Sequence, residues 1–417
     1  MTNHAPIHRF RNNATAIPSG NEGWNVALEH RLIDIRTDPE NSGRVLRRRD
    51  GHRFINLCSC SYLGLTSHPQ ILEGAVEALR TQQSMDLPTS RIRLRLNLLE
   101  EFEVQLSELF GARTVSAVTC SSASAGVLPL VASGHLCPDG KPRVMAFDRF
   151  SHFSMNLIKP ICADESEVVT TPHNDVNFLE DLCKKHGRVA YVCDGVYSMG
   201  GVAPIQDLLA LQDKYGLFLF IDDSHSLSLW GENGRGYARS SMTTVNPLTI
   251  IVASLGKGFG TSGGIIMLGN EKSEPTLTRF GGPLAWSQGL NVPSIGASMA
   301  SIALHHSQEL VDLQQRLRTN IELFDCLVAT EQRNNGFPLK VIHVGETDDA
   351  VRASGEILEA GFYTSAVFFP IVRKGDASLR IMLRADLTTD EIRQFVRTLN
   401  ASMEAFHDRT LSTGVAS

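Results

Sequence analysis

The sequence predicts an α/β protein: a mainly parallel central sheet flanked by helices in a large domain, followed by a smaller C-terminal α/β domain. Three observations carry this. At 417 residues the chain is long enough for two domains with a sizeable core. Its middle alternates short, wholly apolar runs with helical patterns, as buried parallel strands joined by helices do. Several of those runs end on an aspartate or lead to a lysine, and ligands of open α/β sheets bind beyond the carboxyl ends of the strands.

The clearest strands are "RVMAFD" (143–148), "VAYVCD" (189–194), "LFLFID" (217–222) and "TIIVAS" (249–254), with "GIIML" (264–268) after them. From Val292 the pattern becomes one or two helices that connect to the second domain. There "LKVIHV", a helix near 348–360, "SAVFFPIV", "SLRIMLRA" and a helix opening at Thr389 follow one another. The first 55 residues are too few for a domain and are expected to pack with this unit. The expected division is therefore 1–55, 56–295 and 296–417.

Composition narrows the function. Hydrophobic residues make up 42% and charged residues 20%, as in ordinary globular proteins. A net charge of −6 argues against a nucleic-acid binder, which needs a basic face. The basic stretch Arg44–Arg49 precedes Asp50-Gly51, a hairpin signal, and is expected to be a solvated strand edge. No stretch has the length of a membrane span, and the N-terminal segment lacks the apolar core of a signal peptide. The eight cysteines form no CxxC pairs and several lie in apolar runs. Free thiols in a reducing cytoplasm are expected.

The stretch "IIVASLGKGFGTSGG" (250–264) sets a lysine among glycines just past an apolar run. A phosphate-binding Walker loop is excluded, because Gly258 stands where Ser or Thr is needed and Ile251 where the first glycine is needed. What remains is a lysine that forms a Schiff base, or one that merely finishes a strand. Asp222 ends another apolar strand and His225 follows three residues on. A buried carboxylate there would keep the ring nitrogen of pyridoxal phosphate (PLP) protonated. Asp-x-x-His is also a metal pair, but no third ligand lies nearby, and no metal is expected. His152 would stack on such a ring or be structural. The small residues of "TCSSASAG" (119–126), with Ser122 and Ala123, suit a phosphate at a helix N-terminus, to which Ser254 would add a hydroxyl. The same small residues also serve close helix–sheet packing. Asp148 and Asp194 end strands of the same set; for Asp148 a turn-forming role is equally compatible.

The order of "SYLGLTSHP" (61–69), "CSSASAG" (120–126), "DRFSHFS" (148–154), "HND" (173–175), "DGVYSMGGVAPI" (194–205), "DDSHSLSLWGENGRG" (222–236), "SLGKGFGTSGG" (254–264) and "GDASLRIMLRADLTTDEI" (375–392) resembles the α-oxoamine synthases. These are PLP-dependent transferases of fold type I, the aspartate-aminotransferase-like fold. They include 8-amino-7-oxononanoate synthase, glycine C-acetyltransferase, serine palmitoyltransferase and autoinducer synthases. The resemblance implies that Lys257 binds PLP covalently, Asp222 pairs with the ring nitrogen, His225 lies near its phenolic oxygen, and Ser198 hydrogen-bonds near that oxygen or the substrate. It implies that His152 stacks on the ring, and that Ser122, Ala123 and Ser254 hold the phosphate; Asp194 is a further cofactor-binding candidate. Arg380 matches the arginine that clamps the amino-acid carboxylate, and guanidinium geometry suits that task.

Departures from the family fall elsewhere. Ser61 replaces the asparagine common before Tyr-Leu-Gly. In "DLPTSRIRLRLNLLEEFE" (86–103) only Ser90-Arg91 survives of a Gly-rich motif, and Asn97 is nearest to its missing histidine. Gln288 stands near the place of a phosphate-binding threonine from the neighbouring subunit. The resemblance implies condensation of an α-amino acid with an acyl thioester, on coenzyme A or an acyl carrier protein, in a homodimer. An aminotransferase or aldolase-type lyase would use the same lysine, aspartate and histidine.

Overall fold

The computed structural model of the chain describes residues 13–40 and 43–413, which divide into two compact units. One runs from Leu65 to Asp312, and the other joins the chain before Leu65 to the chain from Leu313 onward. Sequence patterning places these limits at 55 and 295. The stretch carrying Ser61 thus falls in the smaller unit. Backbone pairing there explains why: Leu57 N–H donates to Tyr363 O at 2.9 Å and Ala385 N–H to Tyr62 O at 2.7 Å.

The first strands are β1 (Thr37–Glu40), β2 (Val45–Arg48) and β3 (Arg53–Asn56). The hairpin expected at Asp50-Gly51 joins β2 to β3, and Gly51 takes the positive φ of 90° that such turns require. The arginine-rich strand is not a sheet edge, as the sequence suggested. It lies between β1 and β3, where Glu40 and Asp38 across the hairpin answer Arg47 and Arg53.

The larger unit is built on a seven-stranded sheet of β4 (Arg113–Ala117), β5 (Val144–Asp148), β6 (Val168–Thr171), β7 (Val189–Asp194), β8 (Phe218–Asp222), β9 (Thr249–Ser254) and β10 (Gly264–Leu268). Their order is β4-β10-β9-β8-β7-β5-β6, and only β10 runs antiparallel to its neighbours β4 and β9. The period of two along a strand puts successive side chains on opposite faces. Leu219 and Ile221 of β8 accordingly join one core with Phe102, Leu106, Leu179 and Leu208. Phe218 and Phe220 join the other with Val127, Val131 and Val192. Both faces are covered, which is why β7 and β8 read as unbroken apolar runs. Each such leucine or phenylalanine contributes about 1.5–3 kcal/mol of burial.

In the smaller unit β11 (Leu339–Gly345), β12 (Phe362–Tyr363), β13 (Ser365–Val367) and β14 (Ala377–Met382) complete the strands. β12 extends the first sheet alongside β3, and the other three form a sheet of order β11-β14-β13. The helices Thr347–Glu359 and Thr389–Thr413 stand where the pattern places them. Among the described residues no helix is long and apolar enough to cross a membrane.

Candidate active site

The carboxyl ends of β7 and β8 bring three acids together. Asp194 and Asp222 lie opposite each other in the parallel register, and Asp223 follows. All three are buried. Burial, then the neighbouring Asp222, pushes the Asp194 carboxyl well above its usual range, although the His152 amide donates to its Oδ1 at 3.1 Å. Burial likewise pushes Asp223 up to about 7, against donation from the Ala238 amide at 2.9 Å, and its Oδ1 has no hydrogen-bond partner. Asp222 alone accepts on both oxygens: Ser224 N–H reaches Oδ1 at 3.0 Å, and the Cys120 thiol reaches Oδ2 at 3.6 Å.

Lys257 lies in the loop of the β9–β10 hairpin, and its Nζ is 2.9 Å from Nε2 of the buried His225. The glycines around it permit close approach. A Cβ on Gly258 would come within 2.4 Å of the Leu229 side chain, and one on Gly260, whose φ is +82°, within 2.4 Å of Leu65. The "GKGFG" pattern is thus a packing requirement that holds the lysine against the turn bearing His225.

The helix Cys120–Ala132 begins beside these groups, with Cys120 against Asp222. Its first turn is closed by a capping box in which Ser122 N–H donates to Thr119 Oγ1 and Ser122 Oγ accepts from Thr119 N–H. The Ala123 amide donates to Thr119 O. Ser122 and Ala123 therefore stand at the positive end of the helix with both amides engaged in the cap. Ser254 Oγ accepts from Gly256 N–H at 3.2 Å. His152 is exposed and caps a short helix, with Nδ1 2.8 Å from Ser154 Oγ. Ser198 lies in the tight turn beyond Asp194 that Tyr197 and Gly201 close.

Other candidates make their contacts elsewhere. Asp148 serves its own loops. Burial raises its carboxyl, but bonds from His173, Asn174 and Phe150 together hold it below the usual value. Asn97 is exposed at the first turn of the helix Asn97–Phe110, and Gln288 is exposed too. Arg91 is buried in an ion pair with Glu103 at 2.8 Å, which explains a Ser-Arg pair outlasting the rest of its motif. In the smaller unit, Ser61 is buried and accepts from Gly64 N–H. Arg380 there has a buried Nε without a hydrogen-bond partner among the described residues, and its Nη2 donates to the Met382 sulfur at 3.7 Å. Sequence reasoning passed over Cys120, Ser224 and Asp223. The serine between Asp222 and His225 and the cysteine opening "CSSASAG" were the available signals.

A lysine on a hairpin loop, a histidine in contact with it and a buried carboxylate at the next strand end define a PLP-binding enzyme of fold type I. The residues fit that group: Asp222 is buried with only a peptide N–H and a weak thiol donor on its oxygens, so it retains acceptor capacity for a protonated ring nitrogen. Comparison with known proteins agrees. The aminotransferase class I and II family matches residues 52–399. An 8-amino-7-oxononanoate synthase of Geobacter sulfurreducens is 31% identical over 352 residues, 82% of this chain and 86% of that protein. One from Mycobacterium sp. (strain JLS) is 30% identical, over 88% of this chain and 92% of its own. Among solved structures, Sphingomonas wittichii serine palmitoyltransferase superposes with a TM-score of 0.83 at 21% identity, covering 96% of this chain and 99% of that one. The chain belongs to the aminotransferase class I and II family and, within it, to the PLP-dependent α-oxoamine synthases.

Proposed function

We propose that this enzyme condenses an α-amino acid with an acyl thioester, releasing CO2 and free thiol and leaving an α-aminoketone. The observation that carries the reading is Lys257 Nζ at 2.9 Å from His225 beside the buried Asp222. When bound, PLP supplies the electron sink that makes a carbanion accessible at the amino acid's Cα.

The chain's own residues do the rest. Lys257 would hold the cofactor through its amine and, as a free amine, would accept the substrate's Cα proton. Asp222 holds the ring nitrogen in its protonated form, an electrostatic task suited to its buried position. His225, in contact with the lysine, is placed to donate to the thioester carbonyl. His152 would stack on the ring, and Ser198 would hydrogen-bond near its phenolic oxygen or the substrate. The positive end of the helix Cys120–Ala132, where Ser122 and Ala123 stand, would attract the phosphate through the helix dipole, with the Ser254 hydroxyl beside it. Arg380, whose buried Nε has no hydrogen-bond partner among the described residues, suits a substrate carboxylate, with Ser61 in the same unit. Asn97 lies on the acyl side. The enzyme works as a cytoplasmic homodimer.

Purified enzyme with PLP, given a panel of amino acids and acyl donors on coenzyme A or carrier protein, should release thiol only with a particular amino acid. Amino-group transfer to a keto acid without thiol release from any donor would replace this reading with an aminotransferase.

A further inference from the structure

Asp222 is not held by its own loop alone. Ser254 N–H donates to Ser224 Oγ at 2.8 Å, Ser224 O–H to Cys120 Sγ at 3.5 Å, and the Cys120 thiol to Asp222 Oδ2 at 3.6 Å. The Ser224 amide closes the circuit on Asp222 Oδ1 at 3.0 Å. Each hydroxyl or thiol in this run accepts once and donates once, so its direction is fixed. Three elements meet in it: the start of the helix Cys120–Ala132, the turn after β8 and the end of β9 that leads to Lys257.

We propose that Cys120 and Ser224 are positioning residues that aim the Asp222 carboxylate and tie it to the helix start and to the lysine-bearing strand. The functional consequence rests on the PLP reading above. Burial first, and the Asp222 charge second, push the Cys120 thiol well above its usual range, so it stays a donor. A thiol is a weak donor. It orients the carboxylate while leaving most of its acceptor strength for a protonated ring nitrogen. Ser224 links the two ends of the site, because its oxygen receives the amide of the residue expected at the phosphate while its proton goes to the thiol beside the ring-nitrogen carboxylate.

The test is the infrared S–H stretch of the full chain, recorded with and without PLP. Subtracting the spectrum of Cys120→Ala, or of Cys120→Ser if the alanine variant fails to fold, isolates one thiol. We expect a band lowered by hydrogen bonding that moves up in Asp222→Asn and shifts in Ser224→Ala. A Cys120 band indifferent to Asp222→Asn would overturn the proposal. In PLP titrations, Cys120→Ala should bind about fivefold more weakly, the worth of one hydrogen bond. Cys120→Ser, which keeps a donor, should restore most of that, and a serine variant as weak as alanine would count against it. A chain that takes up no PLP would defeat the functional reading, while the infrared band still decides the network.

Discussion

Two clusters of buried charge lie in the larger unit and follow opposite rules. In the first, Arg91 meets Glu103 at 2.8 Å, Glu103 also accepts from the amide and hydroxyl of Ser116, and Arg113 bridges toward Glu274 at 2.6 Å. In the second, Asp194, Asp222 and Asp223 are buried together at the ends of two neighbouring strands. Lys257, the nearby cation, is directed at His225 instead. Buried charge normally requires a partner. The first cluster has its partners within the chain, whereas in the second burial favours the protonated forms of Asp194 and Asp223 and leaves Asp222 with only a peptide N–H and a thiol on its oxygens.

The contrast is open to direct attack. The largest effect belongs to Lys257→Ala, which should cut thiol release on the order of ten-thousandfold and abolish the visible absorption of bound PLP, leaving the fold intact by circular dichroism. Next comes Glu103→Leu, which strands a buried guanidinium and should cost about 3–5 kcal/mol of stability in urea melts. Adding Arg91→Met should return most of that loss, because a pair replaced whole leaves no orphan charge. A double variant as unstable as the single would mean that the pair does more than satisfy itself.

In the second cluster, Asp222→Asn should leave PLP bound but lower the rate on the order of a hundredfold, the scale of lost electrostatic stabilisation. Stability should change little by comparison. Asp223→Asn should show itself in the pH dependence of stability. The folded carboxyl holds its proton up to about 7, against 3.8 for an ordinary aspartate. The wild type therefore carries no penalty below the unfolded value and loses stability relative to the variant as pH rises toward 7. That loss is at most about 1.4 kcal/mol per pH unit, and it levels off above 7. Melting curves of the two proteins from pH 4 to 8 would show it, and parallel curves would put Asp223 in the same class as Glu103.

The sequence displayed this second cluster far better than the first. Strands buried on both faces leave long apolar runs, so "VAYVCD" and "LFLFID" revealed β7 and β8 together with the acids at their ends. Lys257 stood out because its glycines are required by packing. β4 and β6 went unseen, since "RTVSA" and "VVTT" mix polar residues into strands of four or five positions. The Arg91–Glu103 pair was equally hidden, because a salt bridge between a loop and a helix twelve residues on has no periodic signature. Ser61 was assigned to the larger domain because no composition shift marks Leu65. The backbone bonds of Leu57 and Tyr62 to Tyr363 and Ala385 place it with the smaller unit.

The most direct test of the central claim is to reduce the PLP-loaded enzyme with borohydride and map the modified peptide by mass spectrometry. The account predicts a single pyridoxyl adduct on Lys257, in the peptide containing "SLGKGFG". An adduct on another lysine, with Lys257 unmodified, would contradict it: the acids at the strand ends would then need another explanation, and Lys257 would be a lysine that finishes a strand.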